Sequence, residues 1–156
     1  MTINLQERKT KMKKPCTLFC VIAVILSVLT ISAFAAEPEE TVIDLGDGYY
    51  VVETMTQYAA SRSNDIVNGA VTQDLYHHNT LIGTATLAAS FDISGSSARA
   101  ISAMINGIGK NGGTYINRGS PVCSGNAAYG TAGFRYNGEV RDLELSISCD
   151  PNGNIH

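Results

Sequence analysis

Between Thr80 and Ser94 the chain reads TLIGTATLAASFDIS, and every second residue tells the same story. Leu81, Gly83, Ala85, Leu87, Ala89, Phe91 and Ile93 are apolar or small, while Thr84, Thr86, Ser90, Asp92 and Ser94 between them are polar. A period of two held this long describes a strand with one dry and one wet face. Such a strand needs neighbours on both edges and a second layer over its apolar side. The rest of the chain is expected to supply them.

The turn signals support this. Asn137-Gly138 separates NAAYGTAGFRY from EVRDLELSISC, and Asn-Gly between two alternating runs is the strongest short-range hairpin signal. A two-residue loop there sets Ala132 opposite Leu143, Gly130 opposite Leu145 and Ala128 opposite Ile147. Asp47-Gly48 predicts a second hairpin, with Leu45 facing Tyr50 and Ile43 facing Val52. Ile66–His78 reads as a strand turning at His78-Asn79, and Ala59–Asp65 as an exposed loop. Ala98–Gly109 is open to two readings. As a strand, Ile101, Ala103 and Ile105 line one face; as a helix, Ala98, Ile101, Ile105 and Ile108 share a side behind a Ser97 cap. The surrounding strands and turns favour the strand. Lys110–Gly113 is a turn and TYINRG a short strand. The fold class is therefore all-β: an antiparallel two-sheet sandwich, immunoglobulin-like or related, of about seven or eight strands.

The N-terminus reads differently. Five basic residues between Arg8 and Lys14 precede an apolar run to Ile31 and the A-x-A pattern Ala33-Phe34-Ala35. This is a signal peptide over residues 1–35, cleaved after Ala35, with an acidic leader at 36–40 and a single domain over 41–156. The competing reading is an uncleaved anchor, since residues 17–36 approach a bilayer-spanning length. Removal of the signal leaves six basic against thirteen acidic side chains, a net of −7. That balance argues against nucleic acid and anionic membrane surfaces as partners, and against stable membrane insertion after cleavage. Cys123 and Cys149 then remain, and an exported chain with an even pair is expected to join them. The hairpin count places Cys149 opposite Asn126, three residues from Cys123. Such a bridge would contribute roughly 3 kcal/mol.

Catalytic patterns are weak. His77 and His78 are adjacent on a strand, so they point apart and make a poor metal site. Asp142 and Glu144 offer carboxylates, but they share an outer hairpin face with Ser146 and Ser148 and read as solvated. No serine sits in a nucleophile elbow. GIGKNGG lacks the Ser or Thr and the helix of a phosphate loop. No catalytic residue, metal or cofactor is expected. Tyrosines are the one hint of a surface: Tyr76, Tyr115 and Tyr129 on outer sheet faces would suit a glycan or a protein.

Three stretches together, LGDGYYVVET, LIGTATLAASFDISGSSA and ELSISCDPNGNI, resemble a loose group of small exported proteins of Gram-positive bacteria (Firmicutes). The resemblance implies a compact β-sandwich acting outside the cell and carries no catalytic residues. The expected function is thus an exported, non-enzymatic binding module with an extracellular protein or glycan as partner, and with an edge strand open to self-association. A cell-envelope hydrolase and an exported toxin or antimicrobial are the alternatives; the first lacks loops to build a site, the second lacks basic amphipathic character.

Overall fold

The structure, a computed structural model, describes residues 40–58 and 65–156. The expected signal peptide and the expected leader up to residue 39 lie outside the described residues, as does the expected loop except for Asp65. Nine strands follow in order: β1 (Glu40–Gly46), β2 (Tyr49–Tyr58), β3 (Ile66–His77), β4 (Thr80–Asp92), β5 (Arg99–Gly109), β6 (Thr114–Asn117), β7 (Val122–Ser124), β8 (Ala127–Tyr136) and β9 (Glu139–Ser148). Segment 98–109 is strand. Glu40, expected to end the acidic leader, is already in β1, paired with Thr54.

Strands β1 to β5 form one antiparallel sheet in sequence order. In the second sheet β8 is central, with β9 on one side and β6 and β7 end to end on the other. An immunoglobulin-type sandwich passes strands between its sheets; here five consecutive strands stay in one sheet, so the large sheet is a meander. The count exceeds seven or eight because β6 and β7 are separate short pieces, broken by Arg118–Pro121.

The turns follow from residues that tolerate positive φ. His78 and Asn79 sit at φ 46° and 65°, and Asn137 and Gly138 at 50° and 84°. The β8–β9 register is the one the Asn-Gly turn dictates: Ala132 meets Leu143, Gly130 meets Leu145 and Ala128 meets Ile147. The β1–β2 hairpin is shifted by one residue. Ile43 pairs with Val51 and Asp44 with Tyr50, because Leu45 is extruded in a bulge where Gly46, Asp47 and Gly48 all take positive φ.

The core lies between the sheets, with Phe91, Leu75, Leu87, Val51 and Val71 from the first and Phe134, Leu145 and Ile147 from the second. Odd positions of β4 from Gly83 to Phe91 face inward as expected. Two bulges alter the ends of the pattern. One at Ile82 buries that side chain and leaves Leu81 only half-buried. Another beside Ile101 and Ser102 turns Ile101 outward, so Ala100, Ala103 and Ile105 form the inner face of β5.

Close approach of the sheets depends on glycine. At Gly83 any Cβ would overlap the ring of Phe134, and at Gly107 that of Tyr115. Aromatic rings of the second sheet thus rest directly on the backbone of the first.

Cys123 and Cys149 are both free, which corrects the expected bridge. Cys149 does lie beside Asn126, whose carbonyl accepts its backbone N–H. Cys123, however, pairs with Ala128 from the opposite edge of β8. One strand therefore separates the thiols, an offset of about 10 Å where a bridge tolerates roughly 7 Å between Cα atoms. Beyond Cys149 the chain turns back, and His156 exchanges two backbone hydrogen bonds with Ser148.

Candidate binding surface

Aligning β2 to β5 stacks the wet positions of four strands into straight rows across the outer face of the large sheet. One row runs Thr54, Thr72, Thr86, Asn106. The next runs Val52, Asp74, Thr84, Ile108, and further rows run Thr56, Ala70, Ala88, Met104 and Tyr58, Asn68, Ser90, Ser102. Strand spacing sets these side chains about 4.8 Å apart across the sheet and about 6.7 Å apart along it. Short-range hydrogen bonds hold them in place. The Thr72 and Thr86 hydroxyls lie 3.0 Å apart, Thr84 donates to Asp74, and the Ser90 hydroxyl donates to Asn68 at 2.7 Å.

The middle of this face is low because its residues are small, and the rim is larger and more apolar. Tyr50 and Tyr76 stack in parallel at 4.9 Å at one end, where the Tyr50 hydroxyl donates to Asn79. Burial, then the neighbouring Asp74 carboxylate, pushes the Tyr76 phenol up from its ordinary value. It stays neutral and able to donate. Tyr58 stands at the opposite end, and Met104 and Ile108 at the β5 side.

The three tyrosines expected to share a surface do not converge. Tyr76 belongs to the outer face of the large sheet. Tyr115 turns inward, packed against Phe134 and over Gly107. Tyr129 is half-exposed on β8 of the other sheet. Alternation within one strand says which side a residue takes, but not which sheet or which end it joins.

His77 and His78 also depart from expectation. Their rings lie 4.2 Å apart, because His78 is already in the turn at positive φ and no longer follows strand alternation. His77 packs against Tyr49 and Tyr136. Arg141 lies over the Tyr49 ring and pairs with Asp47 and Glu139 at 3.2 and 3.3 Å. Burial, then Glu139, raises the Tyr49 phenol. This group closes one end of the core. Among the described residues no cluster of three or more His, Cys, Asp or Glu is placed to hold a metal.

A cleft of about 260 Å³ opens where β1 and β2 overhang β9, lined by Ile43, Leu45, Val51, Gln73 and residues 142–144. Buried Gln73 spans it, donating to Glu53 and to the backbone carbonyl of Glu144 at 2.6 and 3.2 Å. Asp142 and Glu144 are both exposed, as the hairpin pattern requires, and Asp142 is held by Arg118 at 2.7 Å.

Sequence reading missed the hydroxyl rows. The signal was present as polar even positions in β4 and as Thr54, Thr56 and Thr72, yet only the register between strands brings them together. Comparison with known proteins gives no match to a family model, a curated protein or a solved structure.

Proposed function

We propose that this protein works outside the cell as a non-enzymatic binding module that takes a neutral glycan on the outer face of its five-stranded sheet. The observation that carries the reading is the set of hydroxyl rows, fixed by hydrogen bonds and bordered by tyrosines. A hydroxyl both donates and accepts, so it matches the hydroxyls of a sugar chain without requiring charge. Tyrosine adds an apolar ring with a polar tip, which suits the mixed surface of a pyranose. The signal-like N-terminus supports export, and the acidic balance of the remaining chain fits a neutral partner better than an anionic one.

The test is co-sedimentation of the protein with insoluble neutral polysaccharides and peptidoglycan, alongside Thr72→Val/Thr86→Val. Valine keeps the branched shape and strand preference while deleting two hydroxyls. The expected result is saturable binding by the parent and loss of it in the variant, at unchanged circular dichroism. Equal binding by the two proteins, or none by the parent to any glycan, overturns the reading.

A further inference from the structure

The two sheets leave four edges, and three of them carry features that discourage another strand from pairing. The β1 edge has Glu40, Asp44 and the Leu45 bulge. The β9 edge carries Glu139, Arg141, Asp142 and Glu144; the Gln73 side chain occupies the Glu144 carbonyl, and the returning C-terminus covers Ser148. The β6 and β7 edge is short and interrupted by Pro121. Charges, bulges, short strands and proline are the means by which natural sheets protect their edges.

The β5 edge has far less protection. Over Ala100–Gly109 it contains no charge and no proline, and its one bulge lies near its start. Among the described residues, only Ala100 makes an outward backbone hydrogen bond, to the Gly125 carbonyl, and from Ile101 to Ile108 no partner strand occupies the edge. Met104 and Ile108 are each 61% exposed. An open, neutral strand with apolar side chains is where pairing is expected.

We infer that β5 is a self-association edge, joining two copies of this chain as an antiparallel, two-fold dimer with a continuous sheet across the interface. The occupant is a second copy because the strand is self-complementary in one register. In a two-fold pair centred on Asn106, facing residues have numbers equally far from 106. Met104 of each copy then faces Ile108 of the other, so the exposed apolar side chains cover one another. Asn106 meets its own counterpart at the axis, where two amides can exchange hydrogen bonds. On the inner side Ile105 faces Gly107, which leaves room for the larger side chain. The carboxylates of the β1 and β9 edges lie on strands that do not adjoin β5, so the acidic copies can approach there. A single-strand interface is small, and the dimer is correspondingly weak and concentration-dependent.

Sedimentation velocity of the full chain over a wide concentration range tests this, with Met104→Lys as the disrupting variant. Lysine at an exposed edge position sets a charge against the partner copy's Ile108, where Met104 had covered it, without entering the core. The expected result is a monomer–dimer equilibrium in the parent and a monomer in the variant, at the same thermal midpoint. Asn106→Cys in a Cys123→Ser background provides an independent readout: it should form a disulfide-linked dimer, whereas Val42→Cys, exposed on the β1 edge, should not. A parent that stays monomeric at the highest concentration overturns the inference. So does a Met104→Lys dimer as tight as the parent's, or cross-linking at Val42 that equals that at Asn106.

Discussion

Replacing Gly83 with alanine puts the contact between the two sheets to a direct test. Gly83 sits on β4 with the ring of Phe134 resting on its backbone, and a Cβ there would lie well inside van der Waals distance of two ring carbons. Phe134 is fully buried, so the ring has no open space to enter. Either the sheets separate locally or the ring leaves its rotamer, and overpacking of this kind costs about 1–3 kcal/mol. Against this, alanine restricts the unfolded chain and returns about 0.4–1 kcal/mol, because Gly83 does not need positive φ. The expected net loss is about 1–2 kcal/mol, read from urea unfolding followed by circular dichroism, since the chain has no tryptophan. Gly95→Ala is the control: its nearest neighbours lie 4.0 Å from the new atom, so stability should hold or rise slightly. Adding Phe134→Leu to Gly83→Ala should cost less than Phe134→Leu alone, giving a coupling above about 0.5 kcal/mol. A Gly83→Ala protein as stable as the parent, or a double-mutant cycle with no coupling, would refute the proposed contact.

Two further predictions concern the cysteines and the C-terminal turn. In the native protein a maleimide should label Cys123 quickly and Cys149 only on unfolding, because Cys149 is buried and its thiol is pushed up by that burial and then by Asp150. Mass spectrometry showing an internal disulfide in the unreduced protein would contradict this. Asp150 is held down to about 2 by hydrogen bonds from the side chain and then the backbone of Asn154, and further by the Asn152 backbone, against 3.8 ordinarily. Its folded-state value is the lower one, so its stabilisation is complete above about pH 4 and disappears as the pH falls towards 2. The stability gap between parent and Asp150→Asn should therefore close across that window; a gap independent of pH would count against the turn's role.

The local pattern of this chain was legible from sequence because its causes are local. Asn137-Gly138 admits positive φ at two successive positions, which sets a two-residue loop and with it every pairing from Ala128–Ile147 to Ala132–Leu143. The alternation of β4 likewise placed Ala85, Leu87, Ala89 and Phe91 in the core. The errors lie where the period of two is interrupted. Bulges beside Leu45, Ile82 and Ile101 each shift a side chain, and a bulge is settled by the neighbouring strand rather than by its own residues. The cysteines failed for the same kind of reason: the count that set Cys149 beside Asn126 held, but β7 chose the far edge of β8, which no pattern in VCS reveals. Sequence alone thus determined the all-β class, the turn positions and the inward face of most strands, because φ preference and alternating burial act within a few residues. Tertiary structure decided which strands adjoin, which tyrosines share a face, and how Thr54, Thr72 and Thr86 come into one row, because those depend on hydrogen-bond register between segments far apart in the chain.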